Sequence, residues 1–196
     1  MEELESRLDA SNFIDAPYFY EKEFYNLLLN IYSCYEYMKS DGAKVPDNDE
    51  NKIRDILYSY ISETHIRNNI CNIYGFNIDK EVDEKSGRVD LKIKRLDDFE
   101  DYSAYYIIEC KRLDGCSKLN REYTKNGVQR FTTGYYSSHY GISGMLAFIV
   151  KPISIDQNMQ KIGTFCVIEE AKLYSSAHNS LKLYHLMMDF SNNIAV

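Results

Sequence analysis

The run Gly144-Met145-Leu146-Ala147-Phe148-Ile149-Val150 contains no charged residue. A continuous apolar stretch of that length suits a strand covered on both faces, so other elements of the chain must do the covering. The first forty residues read as helical. Between Tyr18 and Lys39, the residues Phe24, Leu27, Leu28, Ile31, Tyr32 and Tyr35 recur with the i, i+3, i+4, i+7 spacing of one buried helical face, and Ser40-Asp41-Gly42 ends the pattern. The polar segment Lys44-Val45-Pro46-Asp47-Asn48-Asp49 reads as a loop that finishes in side chains suited to cap a helix. A second helix is expected from about Glu50 to Ile66, with Ile53, Ile56, Leu57, Tyr60 and Ile61 as its apolar stripe. Glu50 lies about one turn before Ile53 and two before Leu57, which puts a carboxylate at the edge of the buried face.

After a turn around Tyr74-Gly75-Phe76-Asn77 the period changes from helical to alternating. In Arg88-Val89-Asp90-Leu91-Lys92-Ile93-Lys94 the apolar residues share one side of a strand and the charged residues the other. A polar turn at Asp97-Asp98-Phe99-Glu100-Asp101 leads into Tyr105-Tyr106-Ile107-Ile108-Glu109-Cys110-Lys111, a strand with Glu109 and Lys111 on one face and Ile108 and Cys110 on the other. Tyr123 to Tyr136 reads as a helix, and Thr164 to Ile168 and Leu181 to Phe190 as further strands. No repeat, low-complexity tract or linker interrupts the order. The 196 residues, 44% hydrophobic and 27% charged, are expected to form a single α/β domain with a helical N-terminal extension (1–45), a core (46–150) and C-terminal strands (151–196).

Several classes of function are disfavoured. No stretch approaches the ~18 apolar residues of a membrane span, and the acidic start Met1-Glu2-Glu3-Leu4-Glu5 is unlike a signal peptide, so a cytoplasmic protein is expected. Five scattered cysteines without a close C-x-x-C pair suggest neither a disulfide framework nor a zinc knuckle. The net charge of −7 argues against a protein that coats nucleic acid through overall charge, though not against a local basic site.

Two segments carry chemistry. Asp90 on one strand is followed 19 residues later by Glu109-Cys110-Lys111 on the next, so neighbouring strands would bring two carboxylates and an amine to one point. Carboxylates supply the hard oxygen donors that Mg²⁺ prefers, and the carbonyl of Cys110 is a further candidate ligand. A lysine beside the ion would position an attacking water or offset charge on a phosphate.

This order, on strands that follow a helix carrying Glu50, resembles the PD-(D/E)XK nuclease superfamily with its restriction-endonuclease-like fold, a mixed sheet flanked by helices. The resemblance covers roughly Glu50 to Val150. It implies that Asp90 and Glu109 hold Mg²⁺ or Mn²⁺, that Lys111 assists water attack on a phosphodiester, and that Glu50 reaches the metal cluster. It also assigns a role to Gln129, in the helix after the lysine strand. Two departures stand out: Val89 replaces the proline common before the Asp, and Thr133 occupies the position where a Tyr often follows the Gln.

Charge distribution adds to this. Between Lys85 and Arg130, 11 basic residues face 8 acidic ones, a local +3 within a chain of −7. Lys118, Arg121, Lys125 and Arg130 are the candidate phosphate contacts. The expected protein is thus a Mg²⁺-dependent nuclease acting in restriction, defence or repair, on DNA in preference to RNA, with a homodimer or a partner chain helping to select the substrate. The alternative is a non-catalytic binding module on the same fold, or a subunit of a nucleic-acid-processing complex. In ordinary proteins Glu109 and Lys111 would be a solvated pair, Asp90 a cross-strand partner, Glu50 a helix-dipole charge and Gln129 a surface residue. His139, His178 and His185 show no catalytic spacing, and Tyr184-His185-Leu186-Met187-Met188 reads as core strand.

Overall fold

The computed structural model describes residues 16–84, 87–97, 104–136 and 139–195. The expected helicity of residues 1–15 and the polar turn at 98–101 lie outside the described residues. Seven strands form one mixed sheet in the order β1-β2-β3-β4-β7-β6-β5. They are β1 (Phe76–Glu84), β2 (Gly87–Arg95), β3 (Tyr106–Leu113), β4 (Ile142–Ile149), β5 (Cys166–Glu169), β6 (Leu173–His178) and β7 (Leu181–Asp189). β3, β4 and β7 run parallel at the centre, while the β1–β2 hairpin and the β5–β6 pair add antiparallel strands at either side. The fold is therefore α/β, with strands from both the 46–150 and the 151–196 segments in one sheet. Among the described residues no helix is long and apolar enough to cross a membrane.

Period two in β4 divides the molecule into layers. Leu146 and Phe148 pack with α1 (Ala16–Ser40) and α2 (Glu50–Ser62) in one core, while Met145, Ala147 and Ile149 pack on the opposite face with Tyr123, Phe131 and Met159. Those three residues come from α3 (Ser117–Tyr123), α4 (Gln129–Thr132) and α5 (Ile155–Ile162). All eight residues of β4 are buried, as its apolar run requires. On α1 the buried set is Phe24, Leu27, Leu28, Ile31, Cys34, Tyr35 and Met38, one continuous stripe. Asp49 caps α2 by accepting from the Lys52 N–H at 3.0 Å.

Three expectations need correction. The second helix stops at Ser62, where the Glu63 backbone turns extended, and a separate π-helical turn covers Ile66–Ile70. Residues 123–136 are not one helix. A π-helical turn at Thr124–Val128 separates α3 from α4, because Gly127 lies against β3 and β4: a Cβ there would stand 2.6 Å from Met145 Cε and 3.3 Å from Lys111 Cγ. The presumed turn at 74–77 is already entering β1, an edge strand whose polar residues hide its alternation.

Candidate active site

The site lies where β2 leaves β3. Their pairing runs from Ile93↔Tyr106 to Leu91↔Ile108 and stops, so the β3 backbone beyond Ile108 loses its neighbour on that side. Buried N–H groups require acceptors, and two carboxylates supply them. Asp90 Oδ2 accepts from the Cys110 N–H at 2.8 Å, and Glu50 Oε2 accepts from the Arg112 N–H at 2.9 Å. The notch between the strands thus lets α2, on one face of the sheet, meet Glu109, Lys111 and α4 on the other.

Lys111 is the junction. Its Nζ donates to Glu109 Oε1 at 2.8 Å, to Glu50 Oε1 at 2.9 Å and to the Cys110 carbonyl at 2.8 Å, which uses all three ammonium hydrogens. Glu109 is 1% exposed. Its Oε1 also accepts from Arg130 Nη1 at 2.9 Å, and its Oε2 lies 2.9 Å from the Tyr136 hydroxyl. That hydroxyl accepts from Arg130 at 2.6 Å and lies 2.7 Å from the Arg88 carbonyl, so its single hydrogen has two acceptors to serve. Asp90 Oδ1 accepts from Arg54 Nη1 at 2.7 Å. The result is a cleft of about 260 Å³ lined by Glu50, Asn51, Arg54, Glu81, Arg88, Asp90, Glu109, Lys111, Arg130 and Tyr135.

The charges act on one another. Burial, and after it the charge of Asp90, push Glu109 above the usual carboxylate range, against the pull of Lys111 and Arg130. Burial opposes the Lys111 ammonium, yet Glu109 and then Glu50 raise it above its ordinary value. Arg54 is likewise raised, because the hydrogen bonds it donates to Glu81, Asp55 and Asp90 outweigh its burial. Lys111 is therefore a cation here, a hydrogen-bond donor and not a base.

Of the residues singled out from the sequence, Glu50, Asp90, Glu109 and Lys111 converge on the cleft. The Cys110 side chain points into the opposite core and its carbonyl faces Lys111. Gln129 does not reach the cleft: it is exposed at the start of α4, and its neighbour Arg130 is the residue directed at Glu109. Arg130 is thus engaged by a carboxylate and a phenol. Lys118, Arg121 and Lys125 are exposed on α3 and the π-helical turn, outside the cleft lining. The sequence reading missed Arg54, Glu81 and Tyr136. Arg54 had a signal, since it follows Glu50 by four residues and falls inside the apolar stripe between Ile53 and Leu57, yet is 2% exposed.

For a divalent cation the donor set fits in kind. Asp90, Glu109 and Glu50 are hard oxygen donors, and the upward push of Asp90 on Glu109 is the repulsion that a cation between them would relieve. All six oxygens of these carboxylates already lie within hydrogen-bond reach of protein donors; five keep a further lone pair, while Glu109 Oε1, which accepts from both Lys111 and Arg130, would have to release one of them to hold a cation. Among the described residues, however, no three His, Cys, Asp or Glu side chains are placed together so that they could hold a metal ion. No protein-family model matches the chain, and neither a curated protein nor a solved structure matches it.

Proposed function

We propose that this chain is a metal-dependent nuclease of the PD-(D/E)XK type, with a restriction-endonuclease-like core. The observation that carries the reading is the convergence of Glu50, Asp90, Glu109 and Lys111 on one cleft from three elements separated in sequence. Asp90 and Glu109 would hold the ion, with Glu50 beside them. A bound Mg²⁺ or Mn²⁺ supplies Lewis acidity toward a phosphoryl oxygen and lowers the pKa of a coordinated water. The protein's own groups do the rest. Lys111 Nζ, kept charged, donates to whichever oxygen stands beside Glu109. Its three hydrogens are all engaged in the free protein, so it turns toward a water or phosphate by releasing Glu50, the more exposed of its two carboxylate partners at 27% against 1%. Arg130 and Arg88 line the cleft and offset phosphate charge. DNA is the proposed substrate.

The test is cleavage of DNA with and without Mg²⁺ or Mn²⁺. Wild-type protein should cut only with the cation, and Glu109→Ala and Lys111→Ala should not cut at all. Cleavage that survives either substitution would remove the mechanism. A second reading, a nuclease-fold binding module, is favoured by one observation: donors already serve every oxygen of the three carboxylates. Calorimetry separates the two, because a binding module takes up no cation whereas a nuclease does so and loses it in Asp90→Ala.

A further inference from the structure

Glu81 has a conformation that strand pairing does not explain. It lies within β1, yet its φ is +55°, the left-handed region that a non-glycine residue enters at an energetic disadvantage. The β1–β2 ladder runs to Lys80↔Leu91, omits Glu81 and Asp90, and resumes at Val82↔Val89. The local distortion sends the Glu81 side chain into the cleft wall, where two guanidinium groups converge on it. Its Oε1 accepts from Arg54 Nη2 at 2.6 Å, and its Oε2 pairs with Arg88 Nη2. Each oxygen of one small anion is thus served by a different arginine, the arrangement that also suits two non-bridging phosphate oxygens.

The two arginines differ. Arg54 is held from several sides, with Nη1 on Asp90 at 2.7 Å and Asn51 at 3.3 Å, and Nε and Nη2 on Asp55 at 3.2 and 3.1 Å. It stays in place whether or not Glu81 remains. Arg88 is 57% exposed and Glu81 30%, so their contact is a solvated pair that a competing anion can exchange.

We propose that Arg54 and Arg88 form a seat for a backbone phosphate of the nucleic acid, and that Glu81 occupies this seat in the free protein as a stand-in anion. The proposal rests on the nuclease reading and adds to it a binding step. The phosphate replaces the Glu81 carboxylate, and because Arg54 also holds Asp90, the phosphate is delivered next to the proposed metal ligand. Glu81 then limits affinity for nucleic acid and raises the barrier to adventitious anions.

The experiment is fluorescence anisotropy of a labelled DNA duplex with the full chain in EDTA, so that binding is read without cleavage. Glu81→Gln should tighten binding at least about fivefold, the effect of freeing one partly exposed ion pair. Glu81→Gly, which suits the positive φ and also removes the anion, should tighten it similarly. Asp79→Asn removes the same charge from an exposed site on the same strand and should change affinity less than about twofold. Arg88→Ala should weaken binding and lower the slope of log Kd against log salt by about one. If Glu81→Gln and Glu81→Gly bind no more tightly than Asp79→Asn, the stand-in is overturned while nucleic-acid binding survives. If wild-type protein binds no duplex even at low salt, the nuclease reading fails and takes this proposal with it.

Discussion

Two polar networks reach the interior layer between the sheet and α3–α5, one of them through the notch from α2, and they are built on opposite principles. The first joins Glu50, Asp90, Glu109, Lys111, Arg54 and Arg130 and opens into the cleft. The second is neutral: the Tyr123 hydroxyl lies 2.8 Å from His185 Nδ1, His185 Nε2 lies 2.9 Å from the Ser176 hydroxyl, and that hydroxyl lies 2.8 Å from His178 Nε2. His185 and Tyr123 are fully buried, and burial, with a smaller contribution from His178, pushes His185 down to about 3. The neutral network satisfies its own donors and acceptors and borders no cleft lining given above. The charged one gathers ions at a break in the sheet. Charge placed where a fold opens suggests chemistry, whereas polarity placed where it closes suggests architecture.

The largest expected difference is catalytic. Glu109→Gln keeps the shape of its side chain but loses the carboxylate, and divalent-dependent cleavage should fall by at least about 10³-fold. Next comes stability. Lys111→Met leaves Glu109 buried without its ammonium partner and should lower the unfolding free energy by about 3–5 kcal/mol in urea denaturation. His185→Leu strands the Tyr123 hydroxyl, while Ser176 keeps His178, and should cost about 1–3 kcal/mol while leaving any cleavage rate unchanged. Gly127→Ala, which drives a Cβ toward Met145 and Lys111, should cost about 1–3 kcal/mol and slow cleavage as well.

A further effect is one of sign, because the two networks respond oppositely to pH. His185 has a folded pKa below its unfolded value, so the unfolded chain binds more protons between about pH 6.5 and 3 and stability is lost as pH falls through that window. Glu109 has a folded pKa above its unfolded value, so its contribution is fully present below the ordinary glutamate value of 4.5 and is lost as pH rises through the folded pKa. Metal-free unfolding free energies measured across pH 3 to 7 should therefore steepen toward acid in Glu109→Gln and flatten in His185→Leu. The same slope in both variants would contradict the assignment of either shift.

Legibility in the sequence followed the same division. Residues whose neighbours share their own element were readable: the α1 stripe from Phe24 to Met38, the apolar run of β4, the pairing of Glu109 with Lys111 two residues later, and the alternation of β2 as far as burial goes, although Val89 packs on the α3–α5 side of the sheet and not with Leu91 and Ile93 as its spacing suggests. Asp90 and Glu50 were readable because a strand order brings them in. Neutralisation of the site was not, since Arg54 and Arg130 arrive from helices on opposite faces of the sheet and only the notch after Leu91 lets them meet. Gln129 shows the limit of spacing: a π-helical turn just before α4 shifts which side chain faces inward, and Arg130 takes the inward position. β1 and β6 were missed for a simpler reason. Asn77, Asp79, Lys80 and Asp83 dilute the alternation of one, and Ser175 and Ser176, buried and bonded to neighbours that no local pattern reveals, dilute that of the other.

The central claim is that function resides in the charged network and architecture in the neutral one. A side-by-side assay of Glu109→Gln and His185→Leu, each measured for Mn²⁺-dependent DNA cleavage and for thermal midpoint, tests it most directly. The account predicts that the first variant stays folded and stops cutting, while the second melts earlier and cuts at the wild-type rate below its midpoint. A cleaving Glu109→Gln, or a well-folded His185→Leu that no longer cuts, would contradict it.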